Sequence, residues 1–280
     1  MMNLETSKSI GIIGCGNMGS ALVENFKKKL ASSAILIFDK DKDRQNSLVK
    51  GFQVQGCESL QDLILKSRVI IIAVKPQDID VVLKEFKRVS GKLIISIAAG
   101  ITLSHLELLL GNALAIIRAM PNLNALIGQS VTALSRNRVV SDSQMGLAQE
   151  IFKAVGEVVI VPESQMNAVT AISGSGPAFV AYLIKDLGAE ALERVFVKEA
   201  LNFKIAPRTA NILARGTISG TRQMLSVNFD PKILIQRVSS KGGITEAGMK
   251  VFENLGRTEE ALSEAIRAAQ KRADELSQRS

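Results

Sequence analysis

Short apolar, β-branched runs alternate with amphipathic segments of helical length through the first 160 residues. Residues 69–74 are continuously apolar, as expected of a central strand that is covered on both faces. The alternation predicts βαβ units and a mostly parallel sheet, with strands at residues 9–13, 34–38, 69–74, 93–97 and 115–118. Between the last strand and Pro162, Ser141 and Gln144 predict a capping box that opens a helix running to about residue 155.

After Pro162 the strand pattern ends and only helical patterns follow. They are interrupted near Pro207, around residues 228–231 and at Gly242-Gly243. The last helix is predicted to begin at Thr258, because acidic residues lie in its first turn and basic residues follow. The pattern thus predicts an α/β domain over residues 1–162 and an all-helical domain over residues 163–280.

A glycine-rich segment follows the first predicted strand at once: Gly14-Cys15-Gly16-Asn17-Met18-Gly19. Three glycines at this spacing allow a tight turn, close backbone approach to a pyrophosphate and close helix–sheet packing, and the helix beyond supplies free N–H groups. Asp39 ends the next strand, where an acidic residue binds ribose hydroxyls. An ordinary strand–helix turn is the alternative. With strand, helix and acid all in place, we predict a dinucleotide-binding domain of the Rossmann type.

The form of the dinucleotide is left open by the residues around Asp39. Its carboxylate favours NAD(H), since it would accept hydrogen bonds from both ribose hydroxyls and repel a 2′-phosphate. Lys40, Lys42 and Arg44 follow closely and could contact that phosphate, although a solvated turn would explain them equally well. The sequence therefore predicts NADP(H) or, alternatively, NAD(H).

Two further loops are predicted at the carboxyl edge of the sheet, where ligands of α/β proteins bind. Ala73-Val74-Lys75-Pro76 follows the central strand, and Ile97-Ala98-Ala99 follows the next one. Their small residues would let a nicotinamide ring lie against the backbone. Taken alone, either segment could be an ordinary loop.

In the helical half, residues 239–245 combine hydroxyl side chains and glycines just before a predicted helix: Ser239, Ser240, Lys241, Gly242, Gly243, Ile244 and Thr245. Such a segment is a plausible backbone cradle for a carboxylate or a phosphate. A glycine-rich turn between two helices is the alternative.

Composition excludes several classes of function. Hydrophobic residues make up 46% and charged residues 22%, the balance of a globular protein with a core, and no uninterrupted apolar run is long enough to span a membrane. The net charge of +8 is scattered, and with aromatics at 4% we expect no nucleic-acid partner. One histidine and two separated cysteines predict no metal site and no Cys–His nucleophile. With no secretory pattern at the start, we expect a cytoplasmic protein that acts on a small molecule.

Six stretches occur in an order and spacing that resemble the pyrroline-5-carboxylate reductase family: IGIIGCGNMGSAL at 10–22, AVKP at 73–76, SIAAGITLSHL at 96–106, IRAMPN at 117–122, AVTAISGSGPAFVAYLI at 168–184 and VSSKGGITEAGMKVFE at 238–253. The resemblance implies NAD(P)H-dependent reduction of 1-pyrroline-5-carboxylate to L-proline, the last step of proline biosynthesis. It also implies that the helical domain forms a homodimer, or a higher oligomer of dimers. Apart from the resemblance, the small and apolar residues between 164 and 184 predict a dimer, because the segment is too apolar to remain solvated.

The resemblance assigns site residues by position. Thr245 would be the hydrogen-bond partner of the imine nitrogen and the catalytic residue. Glu163, Ser240, Gly243, Ile244 and Thr245 would bind the substrate. The cofactor-binding residues would be Ile13, Gly14, Cys15, Gly16, Asn17, Met18, Gly19, Asp39, Lys40, Ala73, Val74, Lys75, Pro76, Ile97, Ala98 and Ala99.

The chain departs from the family pattern at Leu123, Asn124, Phe229 and Lys241, which leaves substrate affinity open. Two other functions therefore stay under consideration. One is a reductase of another cyclic imine or of a β-hydroxyacid; the Lys-x-x-Asn pair typical of β-hydroxyacid dehydrogenases is missing from the sequence. The other is a dinucleotide-binding regulatory protein without turnover.

Overall fold

A computed structural model of the chain describes residues 9–29, 35–86, 89–227 and 229–278. Packing divides the chain into two compact units, Met1–Ala119 with Leu134–Val155, and Met120–Ala133 with Gly156–Ser280. The units alternate along the chain, whereas the sequence analysis placed one boundary after residue 162. That boundary stays a prediction.

The first unit contains a parallel sheet with the strand order β3-β2-β1-β4-β5-β6. Ile13, the last residue of β1, is level with Phe38 on one side and with Ile72 on the other. The chain leaves β1 toward β2 and returns to its other side as β4, so the strand order reverses at β1, and crevices at such reversals are where ligands of α/β proteins bind. The strands are β1 (Ile10–Ile13), β2 (Ile35–Phe38), β3 (Gln55–Gly56), β4 (Val69–Ile72), β5 (Leu93–Ser96) and β6 (Ala115–Met120).

Six α-helices belong to the described part of this unit, and polar side chains cap several of them. The Asp41 carboxylate accepts hydrogen bonds from two amides at the start of α2. The predicted capping box of Ser141 and Gln144 is confirmed. The helices are α1 (Asn17–Lys29), α2 (Lys42–Phe52), α3 (Leu60–Lys66), α4 (Ile79–Leu83), α5 (Leu103–Leu110) and α6 (Asp142–Lys153).

The five predicted strands are confirmed as β1, β2, β4, β5 and β6, although Ala34, at the predicted start of the second, lies outside the described residues. The sequence analysis missed β3, β7 (Ser130–Arg136) and β8 (Gly156–Ile160). In β7, hydroxyl-bearing residues alternate with apolar ones, yet both sets are buried. In the sequence alone, these polar residues are typical of a loop. Their hydrogen bonds, such as that from the Asn122 amide to Ser130 Oγ, form only in the folded chain.

In the second unit, every described element after residue 162 is helical, as predicted. Pro207 and Pro231 each occupy the first position of a helix, where the missing N–H costs nothing; Asn228 lies outside the described residues. A π-helical turn, Thr170–Gly174, joins α7 to α8, and α8 packs against α9, α10 and α13. The helices are α7 (Met166–Val169), α8 (Gly176–Asn202), α9 (Pro207–Ser226), α10 (Pro231–Val238), α11 (Ile244–Met249), α12 (Val251–Leu255) and α13 (Glu259–Ser277).

The apolar segment at 164–184 is buried by its own chain. Ala168, Ala171, Ala178, Phe179 and Val180 are each no more than 5% exposed without a second subunit. The inference that this segment needs a partner chain to cover it is therefore wrong, because the second unit's own helices cover it. Over the described residues no single helix is long and apolar enough to cross a membrane, and one bent pair, Glu163–Gly174 with Gly176–Asn202, meets the criteria of length and composition.

Candidate active site

The three glycines of the first loop occupy three different environments. Gly14 has a φ of 101°, and an added Cβ would lie 2.7 Å from the Ala73 carbonyl oxygen. A Cβ on Gly19 would lie 1.9 Å from the Gly14 oxygen. A Cβ on Gly16 would meet no heavy atom of the described residues within 4 Å. Gly14 and Gly19 thus form the turn and the close packing, and Gly16 leaves the space that a pyrophosphate needs.

Asp39, at the end of β2, is tied to this loop and is only 8% exposed. Its Oδ2 accepts a hydrogen bond from the Cys15 amide at 2.6 Å, and its Oδ1 accepts one from the Asp41 amide at 2.8 Å. The Asp39 amide donates a hydrogen bond to Gln45 Oε1 at 3.0 Å. Burial, with the negative charge of Asp39 as a second cause, raises the pKa of the Cys15 thiol to about 12. The acid therefore holds the glycine loop to the end of β2.

A cavity of about 270 Å³ opens beside the loop, between the ends of β1, β2 and β4. Eight of the predicted cofactor-binding residues line it, together with Phe38, Arg44, Leu60 and residues from the segment 78–85. The eight are Ile13, Gly14, Gly16, Asp39, Lys40, Ala73, Val74 and Lys75. The residues from 78–85 were not predicted, since they lie on and beside α4, beyond Pro76, in a segment without a motif of its own.

The basic residues after Asp39 differ in position. Lys40 and Arg44 line the cavity, and each is paired with a carboxylate: Lys40 Nζ lies 3.1 Å from Asp78 Oδ1, and Arg44 Nε lies 3.0 Å from Asp41 Oδ2. Lys42 is not among the lining residues. Its Nζ donates to the Glu58 carbonyl at 3.2 Å and lies 4.8 Å from the centre of the Phe38 ring.

The remaining predicted cofactor-binding residues do not line this cavity. Cys15, Asn17, Met18 and Gly19 belong to the glycine loop and the start of α1, and Pro76 begins a short 3₁₀ helix. Ile97, Ala98 and Ala99 follow β5, where the Ile97 amide donates to the Ile72 carbonyl at 3.1 Å. They therefore continue the carboxyl edge of the sheet from the end of β4.

In the second unit, the segment 239–245 is held by charged side chains. Arg272 on α13 donates to the Gly242 carbonyl from Nε at 3.0 Å and from Nη2 at 2.8 Å. Glu246 accepts the Gly242 amide at 2.8 Å, and this hydrogen bond is the main cause that lowers the pKa of the Glu246 carboxyl. Gly242 has a φ of 69°, a conformation that glycine adopts readily. Sequence reasoning missed Arg272, because nothing local marks a contact across thirty residues.

Thr245, the second residue of α11, is 6% exposed. Its Oγ1 lies 2.8 Å from the Oγ of Ser175, which precedes α8 and is 1% exposed. Ser175 lay within the family-like stretch but was not singled out by the sequence analysis. A serine there gives no local sign that its hydroxyl meets a residue seventy positions later.

Two of the departures from the family pattern take part in the packing of this unit. Asn124 is fully buried, donates to the Thr217 carbonyl at 3.1 Å and accepts from Thr221 Oγ1 at 3.3 Å. Leu123, 7% exposed, belongs to an apolar cluster with Met224 and Leu234. Both residues are accommodated by their neighbours in the fold.

A parallel sheet with an open glycine loop at its switch point, followed in the chain by helices, is typical of dinucleotide-dependent oxidoreductases. The sequence model described as "NADP oxidoreductase coenzyme F420-dependent" matches residues 9–100, and that described as "Pyrroline-5-carboxylate reductase dimerisation" matches residues 163–276. The pyrroline-5-carboxylate reductase of Synechocystis sp. is 38% identical over 96% of this chain and 98% of its own; that of Aquifex aeolicus is 34% identical over 88% and 89%. The chain belongs to the pyrroline-5-carboxylate reductase family.

Solved structures agree. A pyrroline-5-carboxylate reductase from Coxiella burnetii is 33% identical, with a TM-score of 0.68 over 97% of this chain and 99% of its own. The Plasmodium falciparum pyrroline carboxylate reductase with NADP bound is 25% identical, with a TM-score of 0.67 over the same shares. The predicted family and fold class are confirmed.

Proposed function

We propose that this protein reduces 1-pyrroline-5-carboxylate to L-proline with a reduced nicotinamide dinucleotide as hydride donor, the last step of proline biosynthesis. One observation carries the proposal: curated reductases with this name are 30–38% identical to the chain over most of its length. The segments quoted above for the resemblance carry both candidate sites, the glycine loop and residues 239–245.

The glycine loop is the proposed binding site of the dinucleotide. Gly16 leaves the space that a pyrophosphate would fill, and the first N–H groups of α1 would face its charge. Ala73, Val74 and Lys75 form a wall of the cavity. Ile97, Ala98 and Ala99 would lie near the nicotinamide, where their size leaves room for a ring. When bound, the dinucleotide supplies the hydride.

The segment 239–245 is the proposed binding site of the substrate. Ser240, Gly243, Ile244 and Thr245 would receive the substrate carboxylate and ring nitrogen, and Glu163 would lie nearby. The Arg272 clamp on the Gly242 carbonyl supports this role, because it fixes the backbone whose amides would bind. Lys241, where the family usually has proline, adds a positive charge next to a carboxylate site.

The proposed reduction requires little acid–base catalysis by side chains of the protein. A cyclic imine is a good hydride acceptor once protonated, so orientation and charge complementarity supply most of the catalysis. The chain's single histidine, His105, lies 2.7 Å from Asp80 Oδ1 in the first unit. Thr245 is the proposed hydrogen-bond partner of the ring nitrogen, and its buried position keeps that hydrogen bond from competing with water.

For the cofactor's phosphate, we propose that NADPH and NADH both serve with a modest preference. Lys40 and Arg44 at the cavity would attract a 2′-phosphate, but each must first exchange a carboxylate partner. Asp39 would repel that phosphate, but its two oxygens already accept amide hydrogen bonds. The opposing effects are of similar size, since exposed ion pairs contribute about 0–1 kcal/mol each.

We further propose that the protein is a homodimer formed through its helical unit. The support is the match of residues 163–276 to the family's dimerisation domain. Apolar side chains that the chain leaves exposed in this unit are available to an interface: Ile160, Leu201, Val227, Ile233 and Leu255, which are 43–62% exposed.

A steady-state assay of 1-pyrroline-5-carboxylate reduction with NADPH and NADH in parallel tests the proposed function. We expect turnover with both, and L-proline as the product. Saturable dinucleotide binding without turnover of this or another cyclic imine would instead identify a binding protein. Oxidation of a β-hydroxyacid with the oxidised dinucleotide, in preference to reduction of the imine, would reassign the substrate.

A further inference from the structure

The buried pair formed by Ser175 and Thr245 links the family-like stretch of α8 to the proposed substrate segment. Thr245 Oγ1 and Ser175 Oγ are 2.8 Å apart, and neither residue is more than 6% exposed. A hydroxyl has one donor hydrogen and accepts through its lone pairs, so the pair restricts the direction in which each hydrogen points.

Ser175 does not use its hydroxyl as a serine in its position normally would. Serine is a favoured residue before a helix, because its oxygen caps an amide of the first turn. Ser175 immediately precedes α8, yet its backbone has helical angles (φ −83°, ψ −22°) and its side chain caps no amide there. Its hydroxyl is directed to Thr245 instead, so local helix formation does not account for this serine.

The backbone around Ser175 places its hydroxyl beside that of Thr245. The Ser175 amide donates to the Thr170 carbonyl at 2.8 Å, five residues back, in the π-helical turn that precedes α8. Turns of this kind occur frequently at functional sites. Gly176 sits where a Cβ would lie 2.6 Å from Thr217 Cγ2, and this close packing fixes the start of α8.

The helix that carries Thr245 is also held close to α8. A Cβ on Gly248 would lie 2.5 Å from Phe179 Cζ and 2.7 Å from the Ala265 carbonyl oxygen. Gly248 therefore lets α11 pack directly against Phe179 on α8 and against the backbone of α13. With both helices fixed at their closest approach, the distance between the two hydroxyls is set by the fold.

We infer that Ser175 is a positioning residue, which fixes the hydroxyl of Thr245 for the ring nitrogen of the substrate. The inference rests on the proposed function. Without Ser175, the Thr245 hydroxyl would rotate freely, and the fraction of molecules with the correct orientation would fall. The effect should appear in kcat and should leave the binding of the dinucleotide unchanged.

The test is a double-mutant cycle on reduction of 1-pyrroline-5-carboxylate, with Ser175→Ala, Thr245→Ala and the double variant. Ser175→Ala removes one hydrogen bond, and the net contribution of such a bond corresponds to a loss of about two- to tenfold in kcat. In the Thr245→Ala background we expect Ser175→Ala to cause less than about a twofold further loss, since the group it positions is gone. Full additivity of the two losses, or an unchanged kcat in Ser175→Ala, overturns the inference.

Ser173→Ala is the matched control. Ser173 lies two residues earlier, is fully buried and forms hydrogen bonds with Asn122 and Thr217, away from Thr245. Its substitution should lower the melting temperature and combine additively with Thr245→Ala. Coupling of Ser173 to Thr245 as strong as that of Ser175 would show a general packing effect and overturn the inference.

Two further measurements separate the possible failures. If Ser175→Ala does not fold, Ser175→Cys keeps the side-chain length with a much weaker donor, and the same non-additivity is expected. Wild-type turnover is measured first in the same assay. No turnover of the imine by the wild type overturns the proposed function and this inference with it, whereas normal turnover with an additive cycle overturns the inference alone.

Discussion

Asp39 Oδ2 accepts the backbone amide of Cys15 at 2.6 Å, across 24 residues of sequence. The hydrogen bond joins the end of β2 to the glycine loop at the end of β1. Charge-assisted hydrogen bonds of this kind are about twice as strong as neutral ones. The sequence predicts that Asp39 binds the ribose of the dinucleotide. The structure shows that it also stabilises the conformation of the glycine loop, which would receive the pyrophosphate.

Replacing Asp39 with Ser should shift the cofactor preference toward NADPH, because the charge that opposes a 2′-phosphate is removed. Asp39→Asn is the matched variant, since it removes the charge and its amide oxygen keeps an acceptor for the Cys15 amide, at the cost of the hydrogen bond from the Asp41 amide. The ratio of kcat/KM for NADPH to that for NADH measures the effect, and both variants should raise it. A shift toward NADH, or a wild-type preference above about a thousandfold (roughly 4 kcal/mol), would contradict the proposed balance.

Lys40→Ala should lower kcat/KM for NADPH more than for NADH, because Lys40 lines the cavity. Lys42→Ala removes the same charge two residues away and outside the cavity lining, so it controls for the general field of the protein. We expect a change of about two- to fivefold in the NADPH-to-NADH ratio for Lys40→Ala, the size of one modest charge interaction, and an unchanged ratio for Lys42→Ala. Equal effects of the two variants would remove Lys40 from the phosphate site.

Gly16→Val should abolish dinucleotide binding while the fold is retained. The branched side chain would occupy the space beside Gly16 that is free of described protein atoms, so it would displace the ligand without touching the core. Gly19→Ala should do the reverse and lower the melting temperature, because its Cβ would collide with the Gly14 carbonyl. Calorimetric titration and thermal melts separate the two. Normal dinucleotide affinity in a folded Gly16→Val variant would show that the loop is not the binding site.

Elements whose burial or motif is visible in a continuous stretch of sequence could be predicted. Elements that depend on hydrogen bonds to residues far away in the sequence could not. The runs that form β1 and β4 are apolar throughout, so their burial is visible in the chain itself. In β7, Ser130 and Thr132 are as deeply buried as Val131, since the Ser130 hydroxyl accepts the Asn122 amide and the Thr132 hydroxyl pairs with that of Ser130. The candidate site divides in the same way: the glycine loop is a local motif, whereas the Arg272 clamp exists only once α13 has packed.

Thr245→Ala should lower kcat/KM for the imine by about ten- to a hundredfold, as expected for losing one hydrogen bond to a charged group, roughly 1.5–3 kcal/mol. Dinucleotide affinity should stay nearly unchanged, because the glycine loop belongs to the other unit. Thr245→Ser keeps the hydroxyl and should retain most of the activity. An unchanged kcat/KM in the alanine variant would remove Thr245 from the substrate site.

Sedimentation at micromolar concentration tests the proposed homodimer. The chain has a mass of 30.1 kDa, so a dimer sediments as a species of about twice that mass. Because the chain buries most apolar side chains of the 164–184 segment by itself, we propose that the interface uses the exposed apolar set, and Ile233→Glu should weaken it. A fully active species of monomer mass would overturn the proposed dimer.

The Cys15 thiol lies within the glycine loop, 4% exposed, with a pKa of about 12. At pH 8 only about one such thiol in ten thousand is ionised, and the thiolate is the form that alkylating agents and peroxides attack. Burial and the Asp39 carboxylate that raise this pKa also hold the loop in place. The same contacts that order the glycine loop thus keep its sulfur in the less reactive thiol form.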